Sequence, residues 1–337
     1  MRLLGLLICI VVSVDVMPAR ADEGAAVVGF YGYDDCIELS NANVSVKLCP
    51  AAGGRVLEYS LNGTNVLYLP PGDEGWRYSA NDKRGPMNAG RFDIGPEKVV
   101  RRGPLLWMGK WSGEITGPRM ATLTSQDDPE SGVRLIRTFE LAADSSRLDF
   151  TQTIMNVSDH DVSLCHWSRT FAVGNGIAVV PRSPLGRFPN GYVMYPDGKT
   201  ITIVPEDPSI AVTQNDVVVG AAPKFAKLGF DSHVGWLAYL APTNQLFVKR
   251  FRTFPNRSYN EVAGLTISVW YPDSGDKVEL EPIGPAENLA PGEQASFSEH
   301  WWLLSQQFPE NRNVDPAKIR ELVESKTNLP VASQARR

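Results

Sequence analysis

From about residue 28 to residue 305, apolar and polar positions alternate with a period of two. Val133, Leu135, Phe139 and Leu141 share one parity; Leu148, Phe150 and Ile154 follow, then Val162 and Leu164, then Leu265, Ile267, Val269 and Tyr271. Successive side chains of a strand point to opposite faces, so the pattern predicts half-buried strands. Turn clusters separate them: Asn62-Gly63, Asp144-Ser145-Ser146, Ser158-Asp159-His160-Asp161 and Pro272-Asp273-Ser274-Gly275. That spacing suits antiparallel strands joined in a meander. With no strand–helix alternation and no fixed repeat, the fold class is all-β, a large antiparallel β-sandwich. One short helix is legible near the C-terminus, with Asp315 as N-cap, Pro316 at its first position, and Ile319, Leu322 and Val323 on one face. The stretch 72–117 breaks the alternation. It is rich in Gly, Arg and Trp and reads as long loops on one end or face of the sandwich.

Residues 1–21, MRLLGLLICIVVSVDVMPARA, show a different pattern: one charge at Arg2, an apolar run from Leu3 to Val14, and Ala19-Arg20-Ala21 as a small-x-small cleavage site. This is the signature of an export signal, so the protein is expected to be exported, periplasmic or extracellular, after cleavage near Ala21. The expected organisation is a signal peptide at 1–21, a sandwich domain at 22–306, and a C-terminal helix and polar tail at 307–337. No other apolar run is long enough to span a membrane, so no span is expected in the mature chain. Export places Cys36, Cys49 and Cys165 in an oxidising compartment. Cys36 and Cys49 flank a hairpin and are the best-placed pair for a bridge, though spacing leaves open whether it forms. Sequons at Asn43, Asn62, Asn156 and Asn256 are short enough to arise by chance.

Apolar residues make up 43% of the chain and charged residues 21%, enough for a core and typical of a globular protein. The net charge of −5 provides no positive field to draw in nucleic acid or anionic lipid, so no nucleic-acid partner is expected. Phosphate-loop, dinucleotide-binding, CxxC, HExxH and GxSxG signatures are all missing. With four scattered histidines, neither a metal nor a cofactor is expected.

Candidate chemistry rests on a few residues. His166 shares the parity of Val162 and Leu164, which puts an ionisable ring on the apolar side of its strand. It is either a core histidine satisfied by a backbone carbonyl or a cleft general acid. Glu279 and Glu281 alternate with Val278 and Leu280, so both carboxylates share one face, either solvated or drawn into a cleft where a raised pKa would allow proton shuttling. Trp107 and Trp111, like Trp76, lie in the Gly-rich stretch, where an exposed ring is costly unless it packs or receives a ligand. Arg84, Arg91, Arg101, Arg102 and Arg119 cluster nearby. Aromatic faces beside Arg and Glu suit a sugar, whose ring has apolar faces and a hydroxyl edge. The Arg cluster suits a carbohydrate that is hydroxyl-rich or acidic.

Several motifs occur in a telling order: ELSNANVSVKLCPAAGGRVLEYSLNGTNVLY with Gly53-Gly54-Arg55-Val56, then NAGRFDIGPE, LCHWSRTF, KVELEPIGP, and a PGE turn before the last strand. In this the chain resembles the galactose mutarotase-like (aldose 1-epimerase-like) superfamily over roughly residues 28–305, and most of all its exported branches. The resemblance implies a β-supersandwich and a Glu general base and His general acid acting at a sugar's anomeric centre. Position by position it assigns Glu281 as base, His166 as acid and Arg91 as a substrate-binding group. Where the mutarotases carry a second His after the GRF segment, this chain reads GPLLWMGKWSG. The alternative reading is therefore a non-catalytic carbohydrate-binding or envelope-associated protein on the same fold.

Overall fold

The alternating segments pair into two antiparallel sheets stacked face to face. The computed structural model describes residues 23–81, 89–101, 103–198, 200–272 and 275–328; the expected signal peptide lies outside the described residues. Among these residues one sheet has 12 strands and the other 10. In the middle of the first sheet, five strands lie side by side: Gly90–Gly95, Val162–Val173, Lys277–Pro282, Ile267–Trp270 and Lys227–Phe230. The second sheet is centred on Gln245–Phe251, Gln294–Ser305, Leu148–Asn156 and Val133–Leu141. One parity of each strand faces the other sheet, so that Phe92, Leu164, Val269 and Leu280 meet Leu135, Phe150, Phe297 and Trp301 in one continuous core. Each fully buried aliphatic or Phe side chain contributes roughly 1.5–3 kcal/mol, which makes the inter-sheet layer the main source of stability.

The C-terminal helix spans Pro316–Lys326, with the Asp315 carboxylate accepting from the Ala317 N–H at 3.0 Å. Its Ile319 and Val323 pack on the outer face of the second sheet against Trp236, Val248 and Trp302. Among the described residues, no helix is long and apolar enough to cross a membrane. Cys36 and Cys49 stand on adjacent strands, one step beyond the Ile37–Leu48 pair. They are buried free thiols in hydrogen-bonding contact.

The 72–117 stretch departs from the expected loops. Gly90–Gly95 is a strand buried at all six positions, paired with Val162–Val173. Its alternation is hidden because both faces are buried by different means. Phe92 and Ile94 enter the apolar core, while Arg91 and Asp93 are buried in ion pairs.

Two glycines seat the tryptophans of this stretch. Gly53 and Gly54 have φ of 64° and 58°, a region that suits glycine. A Cβ on Gly53 would overlap the Trp107 carbonyl, and one on Gly54 the Trp111 ring. The Arg55 guanidinium donates to the Trp107 carbonyl at 2.8 Å, and the Trp111 N–H donates to the Pro50 carbonyl at 2.8 Å. Trp111 itself is 1% exposed, with its indole N–H given to the Leu106 carbonyl at 2.9 Å. It is the anchor of the segment rather than the ligand-facing ring the sequence suggests.

Candidate functional site

A cleft of about 770 Å³ opens on the outward face of the first sheet. It lies over the strands Gly90–Gly95, Val162–Val173, Lys277–Pro282, Ile267–Trp270 and Lys227–Phe230. Because outward residues alternate with core residues, the cleft floor is set by parity: Arg91, Arg169, Phe171, Glu279, Glu281, Trp270 and Lys227 all point the same way. Trp107, held by the Gly53–Arg55 turn, forms a wall and lies over the Arg91 guanidinium at 4.9 Å.

Arg169 is the hub of the floor. Its Nε lies 3.0 Å from Glu279 and 3.5 Å from Glu281, and its two terminal nitrogens reach Asp93 and Glu97, each at 3.3 Å. Arg91 supports the same acids, at 3.2 Å from Asp93 and 3.3 Å from Glu279. Lys227 meets Glu97 at 3.0 Å and lies over the rings of Trp167 and Tyr195. Buried charges persist only when paired in this way.

Glu281 is the exception among the acids. Trp167 Nε1 donates to its Oε2, Ser268 Oγ donates to its Oε1 at 3.3 Å, and it is 1% exposed. Burial first, then the negative charge of Glu279, push its pKa up to about 8, with Arg169 and Lys227 offsetting only part. The balance favours the protonated carboxyl. For Glu97, burial pulls upward, but Lys227 and then Arg169 outweigh it and hold the carboxyl below its ordinary value. The cleft therefore sets a carboxyl biased toward its protonated form beside ion-paired Arg, Lys and Glu side chains.

His166 is not part of this site. It lies on the inward face of the strand whose outward face carries Trp167 and Arg169, and it is fully buried. Its ring is stacked between Phe92 and Phe297, each at 5.8 Å, and its Nε2 lies 3.2 Å from the Ala295 carbonyl. Burial pushes its pKa down to about 4. The expected His166–Glu281 pair around one sugar ring is not formed, because adjacent parities of one sheet put the two residues on opposite sides. Glu279 and Glu281 share a face as expected, and that face is buried in the cleft rather than solvated. Of the other expected binding groups, Arg91 and Trp107 line the cleft and Trp111 does not; Arg84 lies outside the described residues. The described arginines of the cluster do not converge, since Arg101 pairs with Glu130 at the surface and Arg119 lies away from the cleft; Arg102, like Arg84, lies outside the described residues.

Sequence reasoning missed Arg169, Glu97, Lys227, Trp270 and Tyr195. A signal existed for Arg169: a charged residue inside LCHWSRTF, at the parity opposite to His166, points to a second polar face on a central strand. Among the described residues, no group of three or more His, Cys, Asp or Glu side chains is arranged to hold a metal ion.

No family model and no curated protein matches this sequence. Solved structures do match its fold. A putative aldose 1-epimerase from Escherichia coli K12 superposes with a TM-score of 0.59 at 14% identity, over 80% of this chain and 98% of that one. A galactose mutarotase-like protein from Lactobacillus casei ATCC 334 gives 0.55 at 10% identity, over 80% and 100%. A galactose mutarotase related enzyme from Lactobacillus acidophilus gives 0.54 at 12% identity, over 81% and 98%. The chain has the galactose mutarotase-like β-sandwich fold.

Proposed function

We propose that this protein binds a carbohydrate in the Glu281 cleft and interconverts its anomers, as an exported aldose 1-epimerase-like enzyme. The observation that carries the reading is Glu281, a buried proton-holding carboxyl at the base of a cleft walled by Trp107, Phe171 and Trp270 and floored by Arg91 and Arg169. Aromatic faces beside fixed polar groups are what a sugar ring needs. The activities named for structures sharing this fold, aldose 1-epimerase and galactose mutarotase, agree with it.

In this reading ionised Glu281 takes the proton of the anomeric hydroxyl. The bond from the anomeric carbon to the ring oxygen breaks, and a proton is delivered to that oxygen. The aldehyde then rotates and closes on either face by the reverse steps. The donor must come from the outward face. We assign it to the Lys227 ammonium, which lies over the Trp167 ring whose N–H contacts Glu281. A pKa of about 8 suits a group that gives and takes a proton near neutral pH. Because the base form is needed, the rate should rise with pH until Glu281 is ionised near pH 8.

Polarimetry or NMR of anomer interconversion across pH 5–9 tests this. A limb near pH 8 that disappears in Glu281→Gln supports it, and equal rates with and without Glu281 overturn it. One observation favours a second, non-catalytic reading: His166 sits on the wrong side of the sheet. Sugar binding with no rate enhancement would establish that reading. Export is tested by the mature N-terminus, expected at Asp22.

A further inference from the structure

The cations of the cleft floor are all paired. Arg91, Arg169 and Lys227 face Asp93, Glu97, Glu261 and Glu279. Two further cations line the same cleft, Lys224 and Lys277. Lys224 is exposed, lies over the Phe225 ring at 5.3 Å, and forms no ion pair with any described acid. Lys277 lies over the Tyr68 ring at 4.9 Å and, among the described residues, pairs with Asp276 at 3.8 Å, whose carboxylate also accepts from the Tyr68 hydroxyl. In a chain of net charge −5, two lysines on the cleft lining, one of them with no ion-pair partner among the described residues, make this end of the cleft its cationic end.

Their position along the strands gives the cleft a length. Lys277, Glu279 and Glu281 share one face of a strand, and four residues of strand separate the first from the last by about 13 Å. Trp270 stands opposite Glu279 and Lys227 on the neighbouring strands. Lys224 precedes Lys227 by three residues and so lies at the Lys277 end. The cleft thus has a proton-holding end at Glu281, an aromatic platform at Trp270 and a cationic end at Lys224 and Lys277. That span exceeds one hexose ring. The cleft volume of about 770 Å³ likewise lies well inside the range of roughly 300–1,000 Å³ that holds drug-sized ligands.

Building on the carbohydrate reading, we propose that the ligand is an acidic oligosaccharide of at least two residues. Its reducing-end ring sits at Glu281, its next ring stacks on Trp270, and a carboxylate or other anionic substituent is held by Lys224 and Lys277. A charge-assisted contact of this kind is stronger than the neutral hydrogen bond an uncharged chain would offer, and the two lysines repel cationic chains.

Calorimetric titration of the purified protein separates the possibilities. The probes are trigalacturonate and trimannuronate, maltotriose as the neutral trisaccharide, galacturonate as the acidic monomer, and glucose 6-phosphate as the phosphorylated monomer. At least one acidic trisaccharide is expected to bind ten or more times tighter than maltotriose and than either acidic monomer. The preference should shrink with added salt and be lost in Lys224→Ala/Lys277→Ala, whose thermal melt checks folding. Equal binding of acidic and neutral trisaccharides, or a preference that survives the double substitution, overturns the proposal. In either case sugar binding sensitive to Trp270→Ala would leave the carbohydrate reading standing. Glucose 6-phosphate binding as tightly as the best trisaccharide overturns the length and makes phosphate the anion. If no sugar of the set binds, both readings fall together.

Discussion

On the outward face of the Val162–Val173 strand, Arg169 and Phe171 line the cleft and Trp167 is buried in the cluster beside it; on its inward face, His166, Ser168 and Thr170 meet the second sheet. The inward side also holds a buried polar cluster. Lys249 Nζ lies 3.3 Å from Glu299, 3.0 Å from Thr170 Oγ1 and 3.0 Å from the Leu280 carbonyl. Gln152 and Trp301 donate to Glu299 at 3.1 and 3.0 Å. Burial pushes Lys249 down to about 8 and His166 to about 4, as it pushes Glu281 up to about 8. The clusters are alike in burial, pairing and perturbed titration and differ in access. Phe92, Phe297 and Trp301 close the inward one, whereas the outward one borders the cleft. Perturbed titration marks candidates for function, and in this molecule it marks a sealed structural cluster equally well. Only the outward face can meet a ligand.

The largest expected effect falls on the outward face. Glu281→Gln should lower anomer interconversion by about 10²–10⁴-fold, the usual contribution of a positioned proton-transfer group. Its melting temperature should match that of the wild type near pH 4.5 and lie above it at pH 6–7, since Gln resembles the protonated carboxyl without the cost of holding a proton on it. Polarimetry and a thermal melt on one preparation read both.

The inward face should answer in stability instead. Glu299→Gln leaves the Lys249 ammonium buried without its counter-charge and should cost roughly 3–5 kcal/mol in denaturant unfolding. Adding Lys249→Met should restore much of that loss. A Glu299→Gln protein as stable as the wild type would mean that Lys249 is already neutral.

The pH dependence of stability separates the faces next. His166 has a folded pKa of about 4 against an ordinary 6.5, so the unfolded chain takes up the proton first. Its stabilisation is complete above about pH 6.5 and is lost as pH falls toward 4. At about 1.4 kcal/mol per pH unit this amounts to roughly 3 kcal/mol. Glu281 acts in the opposite sense: its folded pKa is raised from 4.5 to about 8, so its contribution is complete below about pH 4.5 and is lost as pH rises through 8. The two windows oppose each other between about pH 4.5 and 6.5, so His166→Phe should leave a fall in stability from about pH 4.5 to 8 and Glu281→Gln a rise from about pH 4 to 6.5, measured by melts across pH 4–9.

The smallest effect expected is that of His166→Phe on sugar affinity and turnover, within about twofold, because sites that share no partners act nearly independently. A loss as large as that of Glu281→Gln would show that the two faces are coupled through the strand.

The sandwich itself was legible from alternation, since Leu135, Phe150 and Val269 declare their faces by period alone. So was the terminal helix, whose Asp315-Pro316 start and Ile319/Val323 stripe are local signals. The Gly90–Gly95 strand was not legible, because Arg91 and Asp93 look solvated until their partners arrive from strands nearly 80 and 190 residues away. Trp111 and Trp107 were indistinguishable as loop tryptophans until the Gly53–Gly54 turn seated one in the core and left the other on the cleft wall.

By itself the sequence determined the all-β class, the two parities of each central strand, and the choice of Glu281 as the acid worth watching. Period, turn residues and capping are local, and each is written within a few neighbouring positions. Only the tertiary structure decided which parity faces a cavity and which faces the other sheet. Alternation states that two faces differ and does not state what covers them. That is why His166 and Arg169, three residues apart on one strand, belong to the core and to the cleft.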